Sequence, residues 1–438
     1  MLLGCVLVFA PARGLLLSQL MLLGLAAIVI SAYAVVLHEQ LSAHPWLKSA
    51  APHPIWGEAG AALKVPLQPL VSIARNRPYF EIGRPLASIM ALIGGFLIGA
   101  QRRRAKLLMK AIAWSGAAYA AYGIIAHLAD PTQLLWREKE AYVSVLTGTF
   151  VNRNTAAIYF GTAAVLWLLL LAERVRQHLP PREIEWRRAV DLFLSRTPKE
   201  IIIAFSMLFI CLAAMFMTGS RAGVVLSLCG LVVAFTLYFR RDLAGWRAIF
   251  IAAAGASAVA LLLLEIMGAG VNGRADLIST PDEGRLETYR STLRLIADHP
   301  WFGTGLGTFS LSFPAYRSSK VSMWGVWDIA HNTLLEVAAD MGIPVACLLV
   351  IAWAIGFAVL ARGAIAARHH RTVPIASFVI ALLAAAHSLV DFSLQIPGYA
   401  IVAFALIGAG LSQSCSALQE NSKLRTFAPE QPRCSVEA

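Results

Sequence analysis

Charge is scarce in this chain. Asp, Glu, Lys and Arg make up 14% of its 438 residues, hydrophobic residues 58%, and the mean hydropathy is +0.66. So little charge excludes an ordinary soluble domain. Cysteine is sparse too: the 6 present show no CxxC pair and no metal-ligand spacing, so the sequence offers no ground for a metal site. Cys211, Cys229 and Cys347 fall inside apolar runs, where a cysteine reads as a small buried residue. No strand or Walker lysine accompanies the one glycine-rich stretch, and no internal repeat is visible.

What the chain does have is long apolar runs. Segments near 15–37, 85–100, 111–128, 155–172, 201–218, 222–239, 248–268, 344–361, 373–390 and 398–412 are each close to the length needed to cross a bilayer as a helix. The expected fold class is therefore all-α: a polytopic membrane helical bundle of about ten transmembrane helices with a helical outer loop region. Four regions follow: membrane helices with two outward loops over 1–268, an outer loop with amphipathic helices over 269–343, membrane helices over 344–412, and a tail over 413–438.

Lysine and arginine orient the bundle, because basic connections stay cytoplasmic. Gln101 to Lys110, Glu173 to Glu200, Arg240 to Arg247, Arg362 to Thr372, the tail after Leu411 and Arg13 fall on one side. They hold 22 of the 37 Lys and Arg and 9 of the 25 Asp and Glu, a net of +13 against −1 on the other side. The overall +12 is an inside excess and gives no reason to expect nucleic-acid binding. Leu2 to Ala10 is apolar but too short to span and reads as the remainder of an upstream helix turning inside at Pro11 to Arg13.

The outward segments carry the polar residues. His38 to Arg84, rich in Pro and Trp, reads as a loop packed over the bundle with aromatic anchors at the interface. Ala129 to Asn154 ends in Thr147-Gly-Thr-Phe-Val-Asn-Arg-Asn154, where Asn152 and Asn154 suit helix capping and Arg153 a lipid headgroup or a substrate. Pro281 to Asp340 is the densest cluster. Thr280, Pro281 and Glu283 predict a capped helix running to Ala297, with Leu286, Tyr289, Leu293 and Ile296 as its apolar stripe. Arg290 and Arg294 lie on its wet face. Arg285 projects within the stripe, where a guanidinium needs an anionic partner.

Gly303-Thr-Gly-Leu-Gly307 reads as a tight turn, with a phosphate cradle of backbone amides as the alternative. His331, Asn332, Glu336 and Asp340 open a further helical run broken by Gly342 and Pro344, so this run lies flat or re-enters at the outer surface. Acidic neighbours suit His331 to a general base's work. Arg221 sits in the very short turn Thr218-Gly-Ser-Arg-Ala-Gly223 between two spans, where an arginine needs a partner; Asp391 is either that partner or a second site carboxylate.

The run Gly284-Arg-Leu-Glu-Thr-Tyr-Arg, then Asp298-His-Pro-Trp-Phe-Gly-Thr-Gly-Leu-Gly-Thr-Phe309, then Ala330-His-Asn-Thr-Leu-Leu-Glu336 closely resembles the bacterial O-antigen ligase and polymerase superfamily. The Thr-Gly-Ser-Arg turn, the Asn-Arg-Asn segment and His387-Ser-Leu-Val-Asp-Phe fit the same pattern, and the similarity extends from about Leu41 to Leu411. The resemblance implies a metal-independent, inverting glycosyltransferase, with no cofactor, in the bacterial inner membrane, its active site facing the periplasm. Its donor would be a polyprenyl-pyrophosphate-linked oligosaccharide and its acceptor a glycan, lipid A core or protein. By that resemblance Arg221 and Arg285 hold the pyrophosphate and His331 activates the acceptor hydroxyl. Arg153, Arg290, Arg317, Asn332, Glu336 and Asp391 complete the candidate substrate-binding set. Two departures stand out: a short N-terminus, and Tyr289 where a tryptophan is common. The long first loop and the Asn-Arg-Asn segment resemble members that polymerise exopolysaccharide. The competing class, a transporter or flippase of lipid-linked sugars, would place charges near the bilayer midplane on broken helices; here they gather at the outer face.

Overall fold

The computed structural model describes residues 15–178, 198–242, 245–267, 283–321, 327–368 and 370–426. The expected remnant at Leu2 to Ala10 and the Thr280 cap lie outside these residues. Within them the regular structure is helical except for one short hairpin, β1 (Gln133–Leu134) paired antiparallel with β2 (Arg137–Glu138).

The helices are α1 (Leu17–Leu41), α2 (Ile55–Leu63), α3 (Arg77–Glu81), α4 (Gly83–Gly99), α5 (Arg102–Ala129), α6 (Arg153–His178), α7 (Lys199–Met217), α8 (Arg221–Phe239), α9 (Gly245–Met267), α10 (Glu283–Asp298), α11 (Phe309–Tyr316), α12 (Thr333–Met341), α13 (Ile343–Ala366), α14 (Thr372–Ser388) and α15 (Pro397–Thr426). Among the described residues 9 helices are long and apolar enough to cross a membrane: α1, α3 running into α4, α5, α6, α7, α8, α9, α13 and α15. The tenth expected span is α14, an apolar helix of 17 residues. It runs from the basic end of the bundle, where Arg371 stands at its start, to the opposite end, where Asp391 lies just beyond it. The fold is the all-α polytopic bundle the sequence predicts.

Helix α6 is the hub. Its face packs against α5, α7, α8 and α14 in one apolar cluster that includes Phe160, Leu166, Met215, Val224 and Ile380, and Trp167 Nε1 donates to the Ala113 carbonyl at 2.9 Å. Small residues let backbones approach where α4 crosses α15. A Cβ on Gly95 would stand 2.0 Å from the Ala405 carbonyl oxygen, one on Gly99 2.6 Å from the Ala409 Cα, and one on Gly408 2.0 Å from the Leu92 carbonyl oxygen. Lipid tails are as apolar as leucine, so such close packing, and no water-driven effect, holds membrane helices together. Cysteine departs from expectation: Cys211 is buried, but Cys229 and Cys347 are exposed on the bundle surface, where an apolar side chain meets lipid at no cost.

Charge sorts to the two ends. At the basic end Asp242 joins two arginines, its Oδ1 2.8 Å from Arg176 Nε and its Oδ2 2.5 Å from Arg371 Nη2. The Arg371 guanidinium also lies over the Tyr238 ring, 4.3 Å from its centroid. Lys106 pairs with Glu173 at 2.6 Å. These contacts join α5, α6, α8 and α14 at the connections the charge count assigns to one side.

At the opposite end the segment between α1 and α4 folds over the bundle as expected. Gln40 Nε2 donates to the carbonyls of Phe302 (2.6 Å) and Asp340 (2.8 Å), Ile73 N to Thr304 O (2.9 Å), and the His53 ring stacks on His299 at 4.8 Å. The glycine-rich turn beneath it is a packing element. Gly303, Gly305 and Gly307 all have positive φ (64°, 117° and 72°), which glycine alone adopts freely. The five amides of 303–307 are taken by His299 O, Ala339 O, Asp340 O, Gln40 Oε1 and Asp340 Oδ2. With every N–H occupied, the turn has no amides left to cradle a phosphate.

Candidate functional site

The site forms where four outer connections meet: the start of α6, the α7–α8 turn, the start of α12, and the α14–α15 connection. Each owes its geometry to a local sequence feature. Asn152 caps α6, its Oδ1 accepting from Asn154 N at 2.6 Å and Thr155 N at 3.2 Å. Ser220 caps α8, its Oγ accepting from Gly223 N at 3.3 Å, and so places Arg221 at the first position of that helix. Asn332 caps α12 through Leu334 N and Leu335 N, both at 3.1 Å. Its amide also donates to the Leu389 carbonyl at 3.1 Å.

His331 therefore precedes the helix and is not carried on it, as the sequence had suggested. The cap at Asn332 forces an extended residue there, and His331 turns the chain with φ 54°. A left-handed non-glycine costs about 1–3 kcal/mol and persists only where neighbours impose it. Here they do. Tyr289 OH donates to the His331 carbonyl at 3.1 Å, and Glu336 Oε2 accepts from Ala330 N at 2.8 Å. The His331 ring meets Trp327 and Phe392 edge to face, at centroid distances of 5.8 and 5.3 Å.

Asp391 lies behind the imidazole. Its Oδ1 is 3.7 Å from His331 Nδ1, longer than a hydrogen bond, with the histidine side chain 28% exposed and the carboxylate 2%. The ring is thus partly exposed, while its Nδ1 edge lies toward a buried acid. Burial pushes the Asp391 carboxyl up, but His331, the Phe392 N–H, His387 and Asn154 outweigh it and hold the group below its ordinary value. Asp391 stays ionised. Its second oxygen accepts from the side-chain amide of Asn154, whose carbonyl accepts from Ser220 Oγ at 2.8 Å.

Arg285 approaches from α10, with Nη1 3.4 Å from the Val390 carbonyl, the residue before Asp391. The buried face of α10 differs from the expected stripe: Leu286 (42%) and Leu293 (53%) are exposed, while Thr288, Ser291, Thr292 and Leu295 are buried. Hydroxyls make this possible, because Thr288 and Thr292 donate back to the carbonyls of Gly284 and Thr288, both at 2.8 Å, and need no outside partner. Arg285 and Tyr289, one turn apart, flank that face and point to the 331 and 389–390 segments.

The remaining candidates divide. Arg153 begins α6 with its guanidinium over the Tyr142 ring at 5.2 Å, close to Gly219 of the α7–α8 turn. Arg290 is exposed and pairs with Glu287 at 2.5 Å. Arg317 ends α11 on the other flank of α10, where Ser318 N meets Ser291 Oγ at 3.3 Å; its Nε and Nη2 are buried without a hydrogen-bond partner. Glu336 points inward. Burial pushes its carboxyl up to about 7 against the Ala330 N–H, Gln395 and His331, which pull the other way. Asp340, one turn on, is pushed well up by burial and by Glu336, and binds the glycine-rich turn. Asn332 and Asp391 join His331 directly.

Two contributors are not evident in the sequence. Asn154 reads there as a second cap, yet only Asn152 caps; a helix start holds one cap, so the spare asparagine was the available signal. Tyr289 reads as an apolar stripe residue, and only its hydroxyl hinted at a polar partner. Among the described residues no three His, Cys, Asp or Glu side chains gather as a metal ion would require.

Comparison with known proteins adds one finding. Residues 206–350 match the model of the family described as O-antigen ligase, a stretch that holds Arg221, Arg285 and His331 and runs from within α7 into α13. No curated protein matches the chain.

Proposed function

We propose that this multi-pass membrane protein, whose residues 206–350 match the O-antigen ligase family model, moves an oligosaccharide from a polyprenyl-pyrophosphate carrier to an acceptor hydroxyl at the periplasmic face of the inner membrane. The observation that carries this reading is His331: partly exposed, its Nδ1 3.7 Å from the buried Asp391 carboxylate, with Arg285 entering beside them from α10.

The chemistry follows from those groups. The acceptor oxygen attacks the anomeric carbon as the bond from that carbon to the pyrophosphate oxygen breaks. The proton of the acceptor hydroxyl passes to His331, and polyprenyl pyrophosphate leaves with the bonding electrons. Asp391 stabilises the imidazolium that forms, the role a buried carboxylate plays behind a catalytic histidine. Arg221 and Arg285 bind the pyrophosphate and stabilise the charge that develops on it, work suited to planar guanidiniums. A single displacement inverts the anomeric centre. No metal ion is needed when two guanidiniums take the leaving group's charge. Net basic charge at the Asp242 end of the bundle supports assigning that end to the cytoplasm and the His331 end to the periplasm.

The test is incubation of the purified protein with a polyprenyl-pyrophosphate oligosaccharide, alone and then with lipid A core or a peptide, with and without EDTA, followed by mass analysis. Multiples of the repeat on the carrier identify a polymerase, and transfer only with an added acceptor identifies a ligase of that kind. No transfer by folded protein overturns the reading in favour of a transporter. Activity lost to EDTA and restored by a divalent ion overturns the metal-free mechanism.

A further inference from the structure

Ser220, Asn154 and Asp391 form a side-chain chain that the transfer chemistry above does not use. It starts at the α8 cap, crosses to α6 and ends beneath His331. Asn154 is its centre. The amide carbonyl accepts from Ser220 Oγ at 2.8 Å, and the amide nitrogen donates to Asp391 Oδ2. Ser220 (1% exposed) and Asp391 (2% exposed) are both buried, so neither has water as an alternative partner. Asp391 Oδ1 is held as well, by the Phe392 N–H at 2.8 Å. With both oxygens fixed, the carboxylate has one orientation, and that orientation decides where its charge lies relative to the imidazole. At its other end the chain holds the residue that starts the helix of Arg221.

We infer that Asn154 is a positioning residue for glycan transfer: its side-chain amide ties the turn that carries Arg221 to the carboxylate that orients His331. A group that donates on one side and accepts on the other is required, and an amide does both without charge. Second-sphere groups of this kind fix the orientation of the groups that react. The inference rests on the proposed His331-centred transfer.

The test uses Asn154→Ala and Asn154→Asp in the full-length protein, with transfer rates measured against wild type across a pH series. Removing one hydrogen bond to a charged group should lower kcat by about 10- to 100-fold while KM for the carrier-linked donor changes by less than about threefold. The carboxyl introduced in Asn154→Asp reproduces the amide only when protonated, since it then has one donor and one acceptor; ionised, it repels Asp391. The ratio of this variant's rate to the wild-type rate should therefore rise as pH falls. The titratable and charged groups near Asp391 are His331, and His387 on α14, with Arg285 of α10 beside His387 and Glu336 of α12 beside His331; they are common to both proteins, so the ratio compares the variant with wild type under the same titration. A ratio that is flat with pH, an Asn154→Ala loss that falls on KM and not on kcat, or an Asn154→Ala rate within about twofold of wild type overturns the inference. His331→Ala separates the two levels. If it is inactive, a flat ratio overturns the inference alone; if it is fully active, the transfer reading and the inference both fall.

Discussion

The hydroxyl of Tyr289 donates to the carbonyl of His331 at 3.1 Å, so the helix that carries the candidate Arg285 also holds the strained peptide of the candidate histidine. The family resemblance sets a tryptophan at this position, and an indole N–H is likewise a donor on a flat ring. Tyr289→Phe removes only the donor and should cut transfer about tenfold, the worth of one hydrogen bond at a strained turn. Tyr289→Trp should retain more activity than Tyr289→Phe. Equal rates for Tyr289→Phe and wild type would show that the bond does not matter to His331.

The arginines test the leaving-group assignment. Arg221→Ala, Arg285→Ala and His331→Ala should each lower transfer by at least about 100-fold, with the protein still inserted in the membrane. Arg285→Lys should remain poor, because a lysine keeps the charge but loses the planar fork that grips two phosphate oxygens. Glycan output in cells lacking the endogenous copy, normalised to protein by immunoblot, reads all four. A well-expressed Arg285→Ala variant with near-normal output removes that residue from the site, and a fully active Arg285→Lys reduces it to a point charge.

Glu336 predicts a pH-dependent stability. Burial raises its carboxyl to about 7 in the folded protein, above its unfolded value, so the folded state binds more protons. The associated stabilisation is fully present below the unfolded value and is lost as pH rises through about 7, and Asp340 acts in the same direction. The Tm in detergent should fall between about pH 5 and 8, and Glu336→Gln should flatten part of that slope because its amide never ionises. A Glu336→Gln variant with the wild-type slope would assign the effect elsewhere.

Close packing of α4 on α15 predicts a steric sensitivity. Gly95→Leu would drive a side chain into the Ala405 carbonyl, whereas Gly24→Leu on α1 meets nothing within 4 Å. Overpacking costs about 1–3 kcal/mol when neighbours can shift, and more against backbone. Gly95→Leu should lower the Tm clearly and Gly24→Leu should leave it unchanged; equal Tm values for the two would show that the seam yields.

Composition and the spacing of apolar runs were enough to determine an all-α bundle, its spans, and the sorting of basic connections to one end. These are one-dimensional quantities: a helix in lipid must be long and apolar, and each span reverses the side of the next connection. The same reading marked Arg221, Arg285, His331 and Asp391, because a charge beside hydrocarbon is costly without a task. What only the tertiary structure decided is which of them meet. His331 and Asp391 are 60 positions apart in the sequence, and Asn154 lies further still from Asp391; three helix caps and the crossing of α6 with α8 and α14 bring them together. The buried face of α10 also waited on the fold, because threonine and serine hydroxyls that satisfy their own helix can be buried as readily as leucine. A periodicity that counts only apolar side chains does not register them.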